Sequence, residues 1–312
     1  MMPRKIAFGD NAAKEFDYPK NSLVVTTTTP DIYEKWLDYM GIKDYEVYDK
    51  VTPDPSIESI EAVKKNYEGK KISAYIGLGG GSSMDVCKYL GKLTGVPKIL
   101  IPTTFGTGAE MTTYAVISFE HKKKLLQDEA FLADTAIVDP YFLPGTPFNI
   151  MRNSACDAAA QASEGYDSKL SNPLTKLFCK EAFDVLEDAI INDKPHLLPY
   201  GAMLSGIGFG NSSTTLGHAL SYVFSNEGVP HGYSLSSCTT VAHKFNKSIY
   251  YERFKKICNK LNFETLTLKQ GFEDAADVIM PDRGHLDNNP LPVSRENIVH
   301  CLDEIINKNP LS

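Results

Sequence analysis

The stretch SAYIGLGGGSSMDVCKYLGKL, residues 73–93, reads as strand, glycine loop and helix in immediate succession. Ser73 to Leu78 is a short apolar run suited to a buried strand, and Val86 to Leu93 has helical character. Between them stand Gly79, Gly80, Gly81, Ser82, Ser83, Met84 and Asp85. Consecutive glycines let the backbone come close to a phosphate, and the amides at the start of the following helix point at it with the positive end of the helix dipole. Asp85 is placed to cap that helix, and Lys88 lies one turn further in. The plain alternative is a strand-to-helix turn, which seldom requires three glycines in a row. The spacing is neither GxGxxG nor GxxxxGK[ST], so the loop alone is not diagnostic.

On both sides of this unit the same alternation continues. Ser22 to Thr27 is a strand, and Asp31 to Tyr39 is a helix with Ile32, Trp36 and Tyr39 on one side. Tyr45 to Tyr48 is a second strand and Pro55 to Tyr67 a helix with Ile57, Ile60 and Val63 inward. Alternating strands and helices predict a parallel, doubly wound sheet. Downstream, strand Lys98 to Ile101 ends in Pro102-Thr-Thr-Phe-Gly-Thr-Gly-Ala-Glu110, a second loop of hydroxyls and glycines. Ligands bind outside the carboxyl ends of such strands, so two loops of this kind predict one crevice, which a dinucleotide fits. Tyr114 to Ser118 and Ala136 to Val138 are further strands, and Arg4 to Phe8 is expected to be an exposed strand available for pairing with a second copy. This α/β, dinucleotide-binding domain is expected to span residues 1–145.

Residues 146–312 change to alanine-rich helical segments, which predicts an all-α second domain. Asn153 or Ser154 is placed to N-cap a helix through CDAAAQASEGYDS, putting Asp157, Gln161 and Glu164 on one stripe. Asp157 also fits the third position of a capping box begun by Ser154, a purely structural role. Leu216 to Gly232, LGHALSYVFSNEGVPHG, contains Gly228 and Pro230 and reads as helix, tight connection, helix. Such a corner can aim His218 and His231 at one spot; two helix-end histidines facing carbonyls and solvent is the other reading. With Asp157 they make a carboxylate and two imidazoles, a set suited to Zn2+ or Fe2+.

Composition narrows the function classes. The chain has 312 residues, 42% hydrophobic and 23% charged, long enough for two cores. Its net charge of −7 argues against nucleic-acid binding. The longest lysine run, Lys122 to Lys124, is expected to be a solvated turn between strands. No segment has the apolar length of a membrane span and no secretory signal is visible, so a cytoplasmic protein is expected. Six cysteines without a CxxC pair are read as ordinary buried thiols.

Several motifs in order resemble the iron-containing alcohol dehydrogenase family, which shares its dehydroquinate synthase-like architecture with glycerol dehydrogenase. The family's GGGSxxDxxK is similar to Gly79 to Lys88, its PTTxGTGSE to Pro102 to Glu110 with Ala109 for serine, and its DAxxHxxE to Asp157 to Glu164. Its HAxxHxxG followed by PHG is similar to His218 to Gly232, and Asn289-Pro290 with a helix over 294–306 resembles its C-terminal signature. The resemblance implies a Rossmann-like N-terminal domain, a helical C-terminal domain, and hydride exchange between NAD(H) or NADP(H) and an alcohol or aldehyde, with a divalent metal as Lewis acid. It implies that Gly79, Gly80, Gly81, Ser82 and Asp85 hold the pyrophosphate and that Thr103, Thr104 and Thr107 contact the cofactor. It also implies that Asp157, His218 and His231 bind metal, and that the family works as dimers.

Two departures stand out. Gln161 replaces the usual second histidine ligand and is at most a weak ligand, and Tyr222 replaces a histidine near the nicotinamide and becomes the candidate proton donor beside His218 and His231. Gln161 with HALSY resembles the phosphonoacetaldehyde reductase branch, which implies a small anionic aldehyde and a cation such as Arg152, Lys176 or Lys244 to hold it. At the end of the first strand, Thr26 to Thr29, with Thr26 and Thr27 as cofactor contacts, supply hydroxyls where an NAD-specific site has an acid, so NADPH is expected to be accepted. The competing expectations are a dehydroquinate synthase-like enzyme with tightly held NAD, and a member of the family that binds nucleotide but has lost catalysis.

Overall fold

The computed structural model describes residues 1–119 and 122–311, which divide into two compact units, Met1–Thr146 and Pro147–Ser312. In the first unit the order is β1 (Lys5–Phe8), β2 (Ser22–Val25), α1 (Pro30–Met40), β3 (Tyr45–Tyr48), α2 (Ile57–Asn66) and β4 (Ala74–Gly79). It continues with α3 (Gly81–Thr94), β5 (Lys98–Pro102), β6 (Tyr114–Phe119), β7 (Lys122–Gln127) and β8 (Thr135–Val138). A six-stranded sheet runs β1-β8-β5-β4-β2-β3, and every pairing in it is parallel. Parallel sheets are covered on both faces, which is why β2, β4 and β5 are buried throughout. Leu23, Val25, Ile60, Val63, Leu90, Leu100 and Phe131 belong to one core cluster between sheet and helices.

Four expectations change here. Helix α3 starts at Gly81, five residues before Val86, because Gly80 sits in the β region as N-cap with no side chain assisting. Asp85 is therefore inside the helix and caps nothing. In α1 the buried residues are Leu37 and Met40, whereas Ile32 is exposed. Trp36 and Tyr39 are half-buried and meet the edge of Phe142. Strand β6 leaves the main sheet and pairs antiparallel with β7 as a separate hairpin, so Lys122 to Lys124 opens a strand rather than forming a turn. Strand β1 lies at the sheet edge and pairs with β8 along one side.

The second unit contains α4 (Phe148–Asp167), α5 (Pro173–Ile191), α6 (Leu198–Phe209), α7 (Leu216–Asn226), α8 (His231–Asn246) and α9 (Tyr251–Lys260). After these come α10 (Phe272–Ile279), α11 (Arg283–Asn288) and α12 (Arg295–Asn307), and no strand occurs among its described residues. Helix α4 is 20 residues long and starts at Phe148, after Pro147. Asn153 and Ser154 are thus helix-interior residues, and neither caps; Asp157 is released from the capping-box role. Residues 155–165 of α4 are all buried, six of them alanine or glycine. Small side chains let α5, α6 and α8 pack close: a Cβ on Gly165 would come within 3.0 Å of Cys179 and Phe209.

The turn between α7 and α8 follows the expected logic. Gly228 adopts φ +91, its amide donates to Ser225 O, and the Val229 amide donates to Phe224 O. These two bonds form a Schellman ending, which satisfies carbonyls that the helix leaves unpaired. Pro230 then precedes the first residue of α8, where its missing N–H costs nothing. His218 thereby occupies the first turn of α7, and His231 opens α8. All six cysteines are buried thiols, and no helix among the described residues is long and apolar enough to cross a membrane.

Candidate nucleotide cradle and metal centre

In the first unit the parallel register sets Gly77 opposite Val25 and Gly79 opposite Pro102, so the chain segments leaving β2, β4 and β5 emerge side by side. A Cβ on Gly79 would lie 2.5 Å from Ser83 Oγ and 3.8 Å from Thr27 Oγ1. One on Gly80 would lie 3.1 Å from Thr104 Oγ1, and one on Gly81 3.3 Å from Thr107 Cγ2. The glycines leave a hollow that side chains would fill, rimmed by Thr27, Thr104 and Thr107, all at least partly exposed. Above it opens the N-terminus of α3, whose first-turn amides have no side-chain cap. A hollow with glycine walls, hydroxyl rims and unspent amides fits a pyrophosphate.

Three expected contacts lie elsewhere. Thr26 is fully buried, its hydroxyl bonded to that of Thr28 at 2.9 Å. Thr103 is buried, with its amide donating to Gly79 O at 2.9 Å, so it ties the two loops together. Asp85 accepts from the Val116 amide at 3.1 Å and faces Lys88 at 4.0 Å, and burial pushes its carboxyl up to about 6. Lys88 is also buried, its Nζ donating to Tyr114 O at 2.6 Å and to Thr112 Oγ1 at 3.3 Å; burial lowers its ammonium to about 8. Asp85 and Lys88 pin α3 to the hairpin underneath the cradle.

In the second unit, Asp157 from α4, His218 from α7 and His231 from α8 meet, with their donor atoms all within 4.8 Å of one another. Asp157 Oδ1 is 3.8 Å from Nε2 of each histidine. That is too long for a hydrogen bond, and close to the roughly 3.4 Å that separates two ligands bonded at about 2.1 Å in a tetrahedral site. Burial pushes the Asp157 carboxyl up to about 6, against the pull of His218 and the Gln161 amide. An imidazole pair beside a costly buried carboxylate is a donor set that a divalent cation completes. Two-fifths of the His231 side chain is exposed, which leaves the site an open side.

The first imidazole is oriented from behind. Glu164, fully buried one turn past Gln161, accepts from His218 Nδ1, from Thr215 Oγ1 at 2.7 Å and from the Gly217 amide at 2.7 Å. Burial alone would raise its carboxyl, but the charge and bond of His218 with these donors hold it at about 2. With Nδ1 engaged by Glu164, Nε2 is the nitrogen turned toward Asp157, the carboxylate–histidine arrangement common behind metal ligands. Gln161 donates its amide nitrogen to Asp157 Oδ1 at 2.8 Å.

Glu164 was readable only as part of a stripe, and His285 was not singled out in the sequence at all. His285 is buried on α11, bonded through Nδ1 to Asp282 at 2.7 Å, stacked on His218 at 6.1 Å between ring centroids, and edge-on to Tyr222 at 5.8 Å. Its His-Leu-Asp context carries no motif; the signal is Asp282 three residues earlier, which also accepts from the His285 amide at 3.4 Å. Burial raises the Tyr222 phenol far above its usual range, so it keeps its proton. The cations expected to hold an anionic substrate have other partners. Arg152 stands 4.7 Å from the Phe263 ring and donates to Asn262 O, Lys176 lies over Tyr166, and Lys244 pairs with Glu304 at 3.0 Å.

Comparison with known proteins finds one family in both halves of the chain. A family model described as iron-containing alcohol dehydrogenase matches residues 3–140, and one described as the C-terminal part of the Fe-containing alcohol dehydrogenase family matches residues 152–288. Long-chain-alcohol dehydrogenase 1 of Geobacillus thermodenitrificans is 32% identical over 218 residues, covering 60% of this chain and 55% of that protein. The chain thus spans about half the length of that relative. Sulfoacetaldehyde reductase of Bilophila wadsworthia is 27% identical, covering 96% of this chain and 90% of that one. The crystal structure of sulfoacetaldehyde reductase from Bifidobacterium kashiwanohense in complex with NAD+ shares the fold at a TM-score of 0.87 and 21% identity, over 99% of this chain and 98% of that one. With both halves matched in order, the chain belongs to the iron-containing alcohol dehydrogenase family.

Proposed function

We propose that the protein is an NAD(P)-linked oxidoreductase that interconverts a small aldehyde or ketone and its alcohol, with Fe2+ or Zn2+ held by Asp157, His218 and His231. The observation that carries this reading is the convergence of those three donor atoms from three helices. A divalent ion bound there supplies a Lewis acid for the carbonyl oxygen. Glu164 keeps the His218 lone pair on Nε2, and the exposed side of His231 admits substrate. Tyr222, held protonated, is the candidate donor to the product oxygen, with His285 and Asp282 fixing the ring edge beside it. In the first unit, Gly79 to Ser82 with Thr104 and Thr107 hold the pyrophosphate, Asp85 and Thr103 support them, and exposed Thr27 stands where the adenosine ribose is selected.

The finer reading of the substrate is a small aldehyde with a phosphonate or sulfonate head, supported by the likeness to a sulfoacetaldehyde reductase. Because Arg152, Lys176 and Lys244 have other partners, that head group needs a different cation from those named in the sequence. We also read the protein as cytoplasmic and as a homodimer joined through the outer edge of β1, which sedimentation would check. The test of activity is NADPH and NADH oxidation with Fe2+ or Zn2+ against propanal, glycolaldehyde, sulfoacetaldehyde and phosphonoacetaldehyde. Turnover of at least one aldehyde is expected, with NADPH accepted. No turnover of any would favour a nucleotide-binding protein without catalysis, and a hundredfold preference for NADH would overturn the Thr27 reading.

A further inference from the structure

Gln161 stands on the buried stripe of α4, one turn after Asp157 and about one turn before Glu164, with only 5% of its surface exposed. Its amide nitrogen is 2.8 Å from Asp157 Oδ1, the same oxygen that faces both histidine nitrogens at 3.8 Å. An ionised carboxylate only accepts hydrogen bonds, so it dictates which end of the amide faces it. Reversing the amide would set Oε1 against Oδ1, two acceptors with no proton between them. The outward Oε1 is buried with no partner, an unfavourable position for a carbonyl oxygen. The side chain therefore keeps one bond, to Asp157, at the expense of its own acceptor.

We infer that Gln161 is a positioning residue for the metal centre rather than a ligand: its amide nitrogen holds Asp157 Oδ1 toward His218 and His231, leaving three protein ligands and the remaining coordination to water or substrate oxygen. This rests on the metal reading proposed above and assigns the one position at which the chain departs from a histidine ligand. Helix α4 then supplies one ligand and two supports, Asp157 aligned by Gln161 and His218 aligned by Glu164. A three-ligand centre keeps a position open for substrate, as catalytic zinc sites do.

The test uses the whole protein, stripped of metal and titrated with Co2+ against a chromophoric chelator, with the visible ligand-field bands recorded at saturation. Gln161→Leu is expected to bind Co2+ about 10–100-fold more weakly, the range for losing a support behind a ligand, with band positions and intensities unchanged. A shift of the bands in Gln161→Leu, or unchanged affinity, overturns the inference. Gln161→Ala, less demanding of space, is measured alongside in case the leucine variant does not fold, and the same outcomes apply. Gln161→His is expected to tighten binding and alter the spectrum by adding a nitrogen donor. No Co2+ uptake by the wild-type protein would overturn the metal reading itself, a result distinct from a band shift in the variants.

Discussion

Replacing Glu164 with glutamine changes almost no volume but reverses one hydrogen bond behind the metal centre. In the wild type, Oε1 accepts from Thr215 and the Gly217 amide while Oε2 accepts from His218 Nδ1. In Glu164→Gln the amide oxygen keeps the first pair of donors, and the NH2 group then faces Nδ1. The imidazole must move its proton to Nε2, the nitrogen aimed at Asp157. Metal affinity should fall about 10–100-fold, or about 1.4–2.7 kcal/mol, the usual effect of losing such a partner. The apo protein should also lose about 1.5–3 kcal/mol with the charge-assisted bond. Competition between the protein and a chelator for Zn2+ measures the first, and urea unfolding of the apo form the second. A folded Glu164→Gln variant with Zn2+ affinity within about twofold of wild type would refute the tautomer reasoning.

Three further substitutions probe other parts of the structure. A Cβ on Gly232 would stand 1.9 Å from Asn153 O, a backbone atom, so Gly232→Ala should cost about 3 kcal/mol in urea unfolding; a loss below about 0.5 kcal/mol would contradict the packing. Gly80→Val should fill the cradle beside Thr104 and weaken NAD(H) binding at least about tenfold by calorimetry, since overpacking costs about 1–3 kcal/mol and about 1.4 kcal/mol is a factor of ten. Unimpaired binding would place the pyrophosphate elsewhere. Burial pushes Glu110 up from 4.5 to about 7, opposed by a backbone bond and Lys88. A carboxyl raised in the folded state contributes stability below its unfolded pKa and loses it as pH rises, here from about 4.5 to about 7. That rise corresponds to roughly 3–4 kcal/mol at the upper bound, and Glu110→Gln should flatten that limb of a stability–pH curve.

The α/β alternation, the glycine loop and the helix–turn–helix around Gly228 were legible because each depends on local chemistry: strand content, freedom from a Cβ, and a proline that cannot sit inside a helix. Helix beginnings were harder to read. Asn153 and Ser154 look like caps, yet α4 starts six residues before Ser154, at Phe148, since packing of its alanine face decides its length more than a cap does. Burial of Thr26 depends on β2 lying between β3 and β4 in the sheet, which is set by topology and not by its own segment. His285 lies in a helix of six residues, too short for any periodicity to show a face. The partners of Arg152, Lys176 and Lys244 come from Phe263, Tyr166 and Glu304, so their engagement is visible only in three dimensions.

The most direct measurement of the central claim is aldehyde-dependent NADPH oxidation by the wild-type protein before chelation, after complete removal of metal, and after return of Fe2+ or Zn2+. Activity lost on stripping and restored by one of these ions is expected if Asp157, His218 and His231 hold the Lewis acid. Equal turnover by the fully stripped protein would contradict it.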